Sequence, residues 1–279
     1  MAVALLVVAG LLAFAAWLRP ATAQDGTPAS PMGTPATMGT ADCAEVLGIG
    51  LPGDSCIRVI HASPDAEAVA AFVDEQNVVT SLAFGKATAG FFPVLSGEHR
   101  IRVALAADGI AGAVIDETVN LAPGQAYEIA AIGPVASIAA LISPVNLDPL
   151  SAGTARLRVV QAVPDAPPAD LAAVGGEILI PDVTFGQATD YVEVPASETP
   201  ANLEVRADGL PASLPLPPVT VQAGLVYSVY PVGQISQPWT IAVLVVAAPA
   251  SGLGAGTPVP GPATVNLNLA SPPAGTPAP

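Results

Sequence analysis

Short apolar runs rich in Val, Ile and Ala recur along this chain, and Gly, Pro, Asp or Asn interrupts them about every ten residues. No helix-length stretch carries apolar residues at the helical period. Alternation of the strand kind is clearest in Arg100-Ile101-Arg102-Val103-Ala104-Leu105, where Ile101, Val103 and Leu105 take one face and Arg100, Arg102 and Ala104 the other. The pattern predicts strands near 56–62, 68–73, 78–84, 89–95, 99–107, 113–121, 126–132 and 136–142. So many short strands in about 100 residues form a two-sheet sandwich more readily than a closed barrel.

The whole pattern then repeats. Ile57-Arg58-Val59-Ile60-His61-Ala62-Ser63-Pro64-Asp65-Ala66 returns as Leu157-Arg158-Val159-Val160-Gln161-Ala162-Val163-Pro164-Asp165-Ala166. Phe84-Gly85-Lys86-Ala87-Thr88 returns as Phe185-Gly186-Gln187-Ala188-Thr189, and the turn signal Asp108-Gly109 as Asp208-Gly209. Tyr127 and Tyr227 each follow a Gly by three residues, and Gly133 matches Gly233. Ordered anchors at a near-constant offset mean duplication. The expected fold class is therefore all-β: two tandem antiparallel β-sandwich domains, immunoglobulin-like or transthyretin-like, over residues 43–146 and 154–249. Each repeat carries a full strand set and is expected to fold alone.

Arg58-Val59-Ile60-His61-Ala62-Ser63-Pro64-Asp65-Ala66, then Phe-Gly, Asp-Gly and Pro-Gly-x-x-Tyr, resembles a family of bacterial exported proteins described only as a domain of unknown function. Its hallmark is R-V-x-H-A-S-P-D-A-P, commonly in tandem copies. The resemblance covers both repeats and implies a fold and a surface location, not an activity. The chain departs from the pattern at Gln161, which replaces the hallmark His, and at Ala70, where the second copy has Asp170.

The ends agree with export. Ala2 to Leu18 is an apolar run short for a bilayer span and is followed by Ala21-Thr22-Ala23, so residues 1–23 read as a signal peptide; the alternative is an uncleaved N-terminal anchor. Residues 24–42 and 250–279 are rich in Pro, Gly and Thr, share Gly-Thr-Pro-Ala and lack apolar periodicity, so they read as a linker and a disordered tail. The mature chain is expected to contain no membrane span, and to be secreted or held at the surface of a bacterium.

A formal charge of −15, with no cluster among eight Lys and Arg, removes the electrostatic basis for binding nucleic acid or anionic lipid. The 52% hydrophobic content is enough to build two cores. The two cysteines, Cys43 and Cys56, are expected to pair in an oxidising compartment.

Candidate chemistry is sparse. His61 with Ser63 and Asp65 has the residue types of an acid–base or nucleophilic site. His61 nevertheless shares the strand face of Ile57 and Val59, and the second copy does without it. After Pro64 and Pro164, Asp65 and Asp165 suit carboxylates that accept backbone N–H groups two or three residues on. Asp74, Glu75, Asp116 and Glu117 have no known calcium-ligand spacing, and two histidines without a finger-spaced Cys pair do not make a zinc site. Tyr127 and Tyr227 fit a corner that ties a loop through the phenol, and Arg58 and Arg158 are expected each to meet a carboxylate across the sheet. Phe91, Phe92, Tyr191 and Trp239 are the aromatics a glycan would need, though their strand positions favour packing. The sequence reading is therefore a non-catalytic structural or adhesive module with no cofactor or metal and an unknown extracellular protein or glycan as partner. The alternative is a binding protein for a carbohydrate or another small ligand.

Overall fold

The computed structural model describes residues 39–207, 214–215, 219–253 and 258–267. The signal-peptide residues 1–23, most of the 24–42 linker, the Asp208-Gly209 turn and the last twelve residues lie outside that set. A five-residue helix, α1 (Cys43–Leu47), opens the described chain; the carboxylate of Asp42 accepts the N–H groups of Ala44 and Glu45 and so caps it. No helix among the described residues is long and apolar enough to cross a membrane.

The first repeat contains β1 (Ser55–Ala62), β2 (Val69–Val73), β3 (Gln76–Leu82), β4 (Lys86–Ala87), β5 (Phe92–Val94), β6 (Gly97–Leu105), β7 (Ala113–Leu121), β8 (Ala126–Ile132) and β9 (Ala139–Val145). They form two sheets, one ordered β4-β1-β8-β9 with β5 also on β1, the other β3-β2-β6-β7. The run expected at 89–95 shortens to β5, with β4 lying in the gap before it, and the one expected at 136–142 starts with a 3-10 turn at Val135–Ser137.

The second repeat contains β10 (Thr154–Val159), β11 (Ala169–Ala173), β12 (Ile178–Val183), β13 (Val192–Pro195), β14 (Ser197–Ala201), β15 (Leu203–Ala207), β16 (Leu214–Pro215), β17 (Val219–Val221), β18 (Leu225–Gln234) and β19 (Gln237–Pro249). A further strand, β20 (Ala263–Asn266), lies within the span read as an unstructured tail. Its sheets are β13-β10-β18-β19-β20 and β12-β11-β15-β16, with a separate β14-β17 pair.

The sandwiches are not purely antiparallel. β1 runs parallel to β8 from Cys56↔Ala126 to Ala62↔Ile132, and β10 runs parallel to β18 in the matching register. Parallel central strands are typically buried on both faces, and β1 and β8 are buried along their whole length. One face of the β1 sheet, through Ile57, Val59, Ile129 and Ala131, packs on the β2 sheet. The other face meets the second repeat: Ile60, Ala62, Ala130 and Ile132 share one core with Val160, Tyr230, Val232 and Leu244. The layers therefore run β2 sheet, β1 sheet, β10 sheet, β11 sheet.

This stacking changes the expectation of two independent repeats, because each inner sheet depends on the other for one of its apolar faces. The joint is fixed too. Asp148 accepts the Thr40 and Ala41 N–H groups, and Nη1 of Arg156 donates to the Asn146 carbonyl at 2.9 Å, which holds the segment between the repeats. Residues 39–42, the end of the expected linker, are thus part of the fold.

Candidate functional site

The hallmark turn follows β1. His61 is fully buried, its Nε2–H donates to the Glu67 carbonyl at 2.9 Å, and its Nδ1 accepts the Ser63 N–H at 3.3 Å. Burial lowers its pKa, which agrees with a neutral ring carrying its proton on Nε2. Gln161 reproduces half of this arrangement, since its Oε1 accepts the Val163 N–H at 3.1 Å. The substitution between copies keeps the acceptor that ties the turn.

Asp65 does not join His61 in a relay. Its Oδ1 accepts the Val135 N–H at 2.8 Å, while Asp165 accepts the Ile235 and Ser236 N–H groups at 2.7 and 2.8 Å. The expected acceptor role is therefore present, but its donors lie in the loop after β8 or in the turn between β18 and β19 and not two or three residues on. Burial would raise the Asp165 pKa, but the N–H groups of Ser236 and Ile235 outweigh it and hold the carboxyl below its ordinary value. Pro64 and Pro164 lead into these aspartates.

The other repeated anchors are bracing as well. Thr88 Oγ1 accepts the Val59 N–H while the Thr88 N–H donates to the Val59 carbonyl, and Thr189 does the same with Val159. The Phe-Gly-x-Ala-Thr motif thus closes the outer edge of β1 and β10. The Tyr127 hydroxyl accepts the Ala122 N–H at 3.0 Å, and Tyr227 accepts that of Gln222 at 3.0 Å. Gly233, at φ 111°, has room for no side chain, since an added Cβ would sit 2.5 Å from the Thr240 carbonyl oxygen.

Chemistry that the sequence reading did not single out lies between the repeats. Arg58 and Arg158 do not each find a carboxylate; both converge on Glu128, which is 2% exposed. Arg158 Nη2 donates to Glu128 Oε2 at 2.8 Å, Arg58 Nη1 stands 3.8 Å from Oε1, and the Tyr230 hydroxyl donates to Oε2 at 2.9 Å. Ser228 occupies the matching place in the second copy and accepts from Arg158 Nε. The contacts are reciprocal: Arg158 donates to the Pro144 carbonyl and Arg58 to that of Ala247, equivalent residues opposite Tyr127 and Tyr227. Residue i meeting j while j meets i is the sign of a two-fold relation, here within one chain. Glu128 could have been suspected as a lone acid in the apolar run Ala-Tyr-Glu-Ile-Ala-Ala-Ile.

The cluster holds two guanidinium groups and one carboxylate. Burial lowers the Arg58 pKa, and its Nε and Nη1 lack hydrogen-bond partners. Burial opposes the charge on Arg158 also, but the oxygens of Tyr191, Glu128 and Tyr230 more than reverse it and raise its pKa. Phe91 lies under the Arg58 guanidinium at 4.3 Å and Tyr191 under that of Arg158 at 4.8 Å. The enclosed hydroxyl of Tyr191 is pushed up to about 12 by burial. Two of the four aromatics considered for a glycan are thus occupied by cations. Phe92 packs into the first repeat's core, and the Trp239 side chain lies outside the described residues.

Cys43 and Cys56 form a disulfide that ties α1 to β1 at the end of this interface. Three of the four acids weighed for calcium are otherwise engaged: Asp74 accepts the Arg100 N–H and meets His99, Glu75 pairs with Arg102, and Asp116 pairs with Arg100. Glu117 lies on β7 opposite Ile101. Asp170 accepts the Asp182 N–H at 2.8 Å. A cavity of about 250 Å³ lies between β19 and the residues leading into β20, lined by Tyr227, Val243, Val245, Pro260, Ala263 and Val265 among others.

Compared with known families, residues 55–172 and 156–257 each match the profile of a domain of unknown function, DUF4397. The chain belongs to the DUF4397 family. The two matches agree with two tandem copies, and the first extends past the joint into β11. No curated protein matches. A crystal structure of a candidate cell adhesion protein from Bacteroides eggerthii is similar at 11% identity, over 72% of this chain and 97% of that one. Its TM-score of 0.19 carries no argument about how this DUF4397 protein works.

Proposed function

We propose that this DUF4397 protein is a non-catalytic exported module that makes structural or adhesive contacts at the surface of a bacterium or beyond it. The reading rests above all on how the hallmark residues are used. The hydrogen bonds that His61, Asp65, Arg58, Tyr127 and their counterparts make go to the protein's own backbone or to the charged cluster between the repeats. A catalytic imidazole needs a nitrogen facing substrate, and both nitrogens of His61 are engaged within a buried turn.

The test combines cell fractionation, a glycan array and a broad hydrolase screen on the wild type and His61→Gln. Recovery from the cell exterior with no turnover by either protein supports the proposal. A wild-type activity abolished in His61→Gln overturns it. The alternative, a binding protein for a small ligand, draws on the cavity beside β20, whose mostly apolar lining favours an apolar ligand over a glycan.

A further inference from the structure

The two-fold relation between repeats is broken at one sheet edge. In the second repeat, β19 is flanked by β20, paired antiparallel from Ala242↔Asn266 to Val245↔Ala263. In the first, β9 ends the sheet, with no strand on its outer side among the described residues. The registers Ile129↔Ile142 and Val229↔Val245 make Ala139-Ala140-Leu141-Ile142 the counterpart of Ala242-Val243-Leu244-Val245. The two edges therefore present similar aliphatic side chains, identical at two of the four positions, and among the described residues only the β19 edge holds an extended segment.

The surroundings correspond as well. The Thr264 hydroxyl of β20 donates to the Gly85 carbonyl, in the Phe-Gly turn of the opposite repeat. The counterpart of that turn, at Gly186, lies against Ile132 beside the β9 end of the first sheet. Pro144, which has no N–H to offer a ladder, falls beyond the four residues that a strand docked in the β20 register would use. An unpaired edge of this kind is a template for strand addition.

We infer that the β9 edge, Ala139–Ile142, is an acceptor for an extended strand, and that its occupant is the Ala263–Asn266 segment of a second copy of this chain. That segment already pairs with the equivalent apolar stretch on β19. In its own chain it sits against Gly85, on the β4 side of the first sheet and across from β9, so one copy of the segment cannot fill both edges. Moving it to β9 of a neighbour exchanges one four-residue ladder for an equivalent one. Its direction is therefore set by protein concentration, and the head-to-tail contact generates open chains instead of a closed dimer. This deepens the reading of a contact-making module, on which it rests, by naming a partner.

The test uses full-length chains carrying single substitutions. Val265 faces Val243 on β19, so in trans it should face Ala140 on β9. Mixing Ala140→Cys with Val265→Cys protein under mild oxidation should give a disulfide-linked dimer at a level that neither variant reaches alone. Wild-type protein should sediment as concentration-dependent oligomers. In Thr264→Pro/Val265→Pro they should disappear, because one of two adjacent strand N–H groups always points to the neighbouring strand. Monomers at every concentration, or linkage of Val265→Cys only to Val243→Cys chains by a reciprocal swap, would overturn the inference. Either result leaves the non-catalytic reading standing, since that reading fails only in the hydrolase screen.

Discussion

Replacing Glu128 by Gln should be among the most damaging single changes of this size that the protein can receive. The carboxylate accepts hydrogen bonds from Arg158 and Tyr230, lies 3.8 Å from Arg58, and has almost no access to water. The amide leaves two guanidinium charges stacked between sheets with no counter-charge. Breaking one partner out of a buried ion pair costs about 3–5 kcal/mol. At about 2–4 °C per kcal/mol for a protein of this size, the melting temperature should fall by about 6–20 °C. The cluster lies between the repeats, so the loss should appear first as uncoupling: a single calorimetric transition should broaden or divide, and intrinsic fluorescence should follow the earlier phase. Arg58→Met is the contrast. It removes a cation whose Nε and Nη1 have no hydrogen-bond partner and leaves the Glu128 to Arg158 pair intact, so its cost should be about 1–2 kcal/mol, that of a hydrogen bond and a ring contact. A Glu128→Gln shift below about 2 °C, or a larger loss in Arg58→Met, would refute the account of Glu128 as the clasp of the two repeats.

His61→Gln installs the residue that the second copy already uses at Gln161, so it should keep the fold and cost about 1 kcal/mol in a chemical unfolding series; an unfolded variant would mean that the Nε2 bond to Glu67 matters far more than its counterpart suggests. Cys43→Ala/Cys56→Ala should lose about 3 kcal/mol, the loop-closure value for a loop of about 15 residues, read as an earlier urea midpoint than the oxidised wild type. Asp148 and Asp165 both have lowered folded-state pKa values: burial raises each, but at Asp148 the Thr40 and Ala41 donors prevail, and at Asp165 those of Ser236 and Ile235. A depressed carboxyl pKa contributes stability that is present above the unfolded value, about 3.9, and is lost as pH falls through the folded one. Acid titration of the melting temperature should therefore show a drop below about pH 4 that is shallower in Asp148→Asn/Asp165→Asn, and equal slopes in the two proteins would count against it.

Much of the strand framework could be read from the sequence because the fold expresses it locally. Ile101 and Val103 point into the core as the alternation requires, with Arg100 left exposed. The repeat anchors were legible because duplication preserved residues with bracing duties, such as Thr88 and Thr189 on the rim of β1 and β10. What stayed hidden is of another kind. A parallel pairing of β1 with β8 leaves no local mark, since strands buried on both faces read simply as apolar runs. Glu128 gave no pair signal because its strongest partner, Arg158, belongs to the other repeat. The tail strand β20 is four residues long, mostly exposed, and set among Pro, Gly and Thr, so no periodicity announces it.

Comparison of the copies separates what the fold needs in each repeat from what the assembled pair needs only once. His61 and Gln161 both supply the acceptor that the turn requires, so that position is free to vary while the bond persists. Glu128 and Ser228 are not interchangeable in this way. The two arginines meet near the relation axis, and a carboxylate contributed by both copies would bring two anions into the same dry space, where like charges are costly. One Glu and one Ser give both guanidinium groups a shared counter-charge and let Ser228 satisfy Arg158 Nε at 2.9 Å. A symmetric pair of identical repeats could not make that division of labour. Joining the copies in one chain allows each side of the interface to specialise, as β19 has done by holding β20 while β9 leaves its edge without a strand among the described residues.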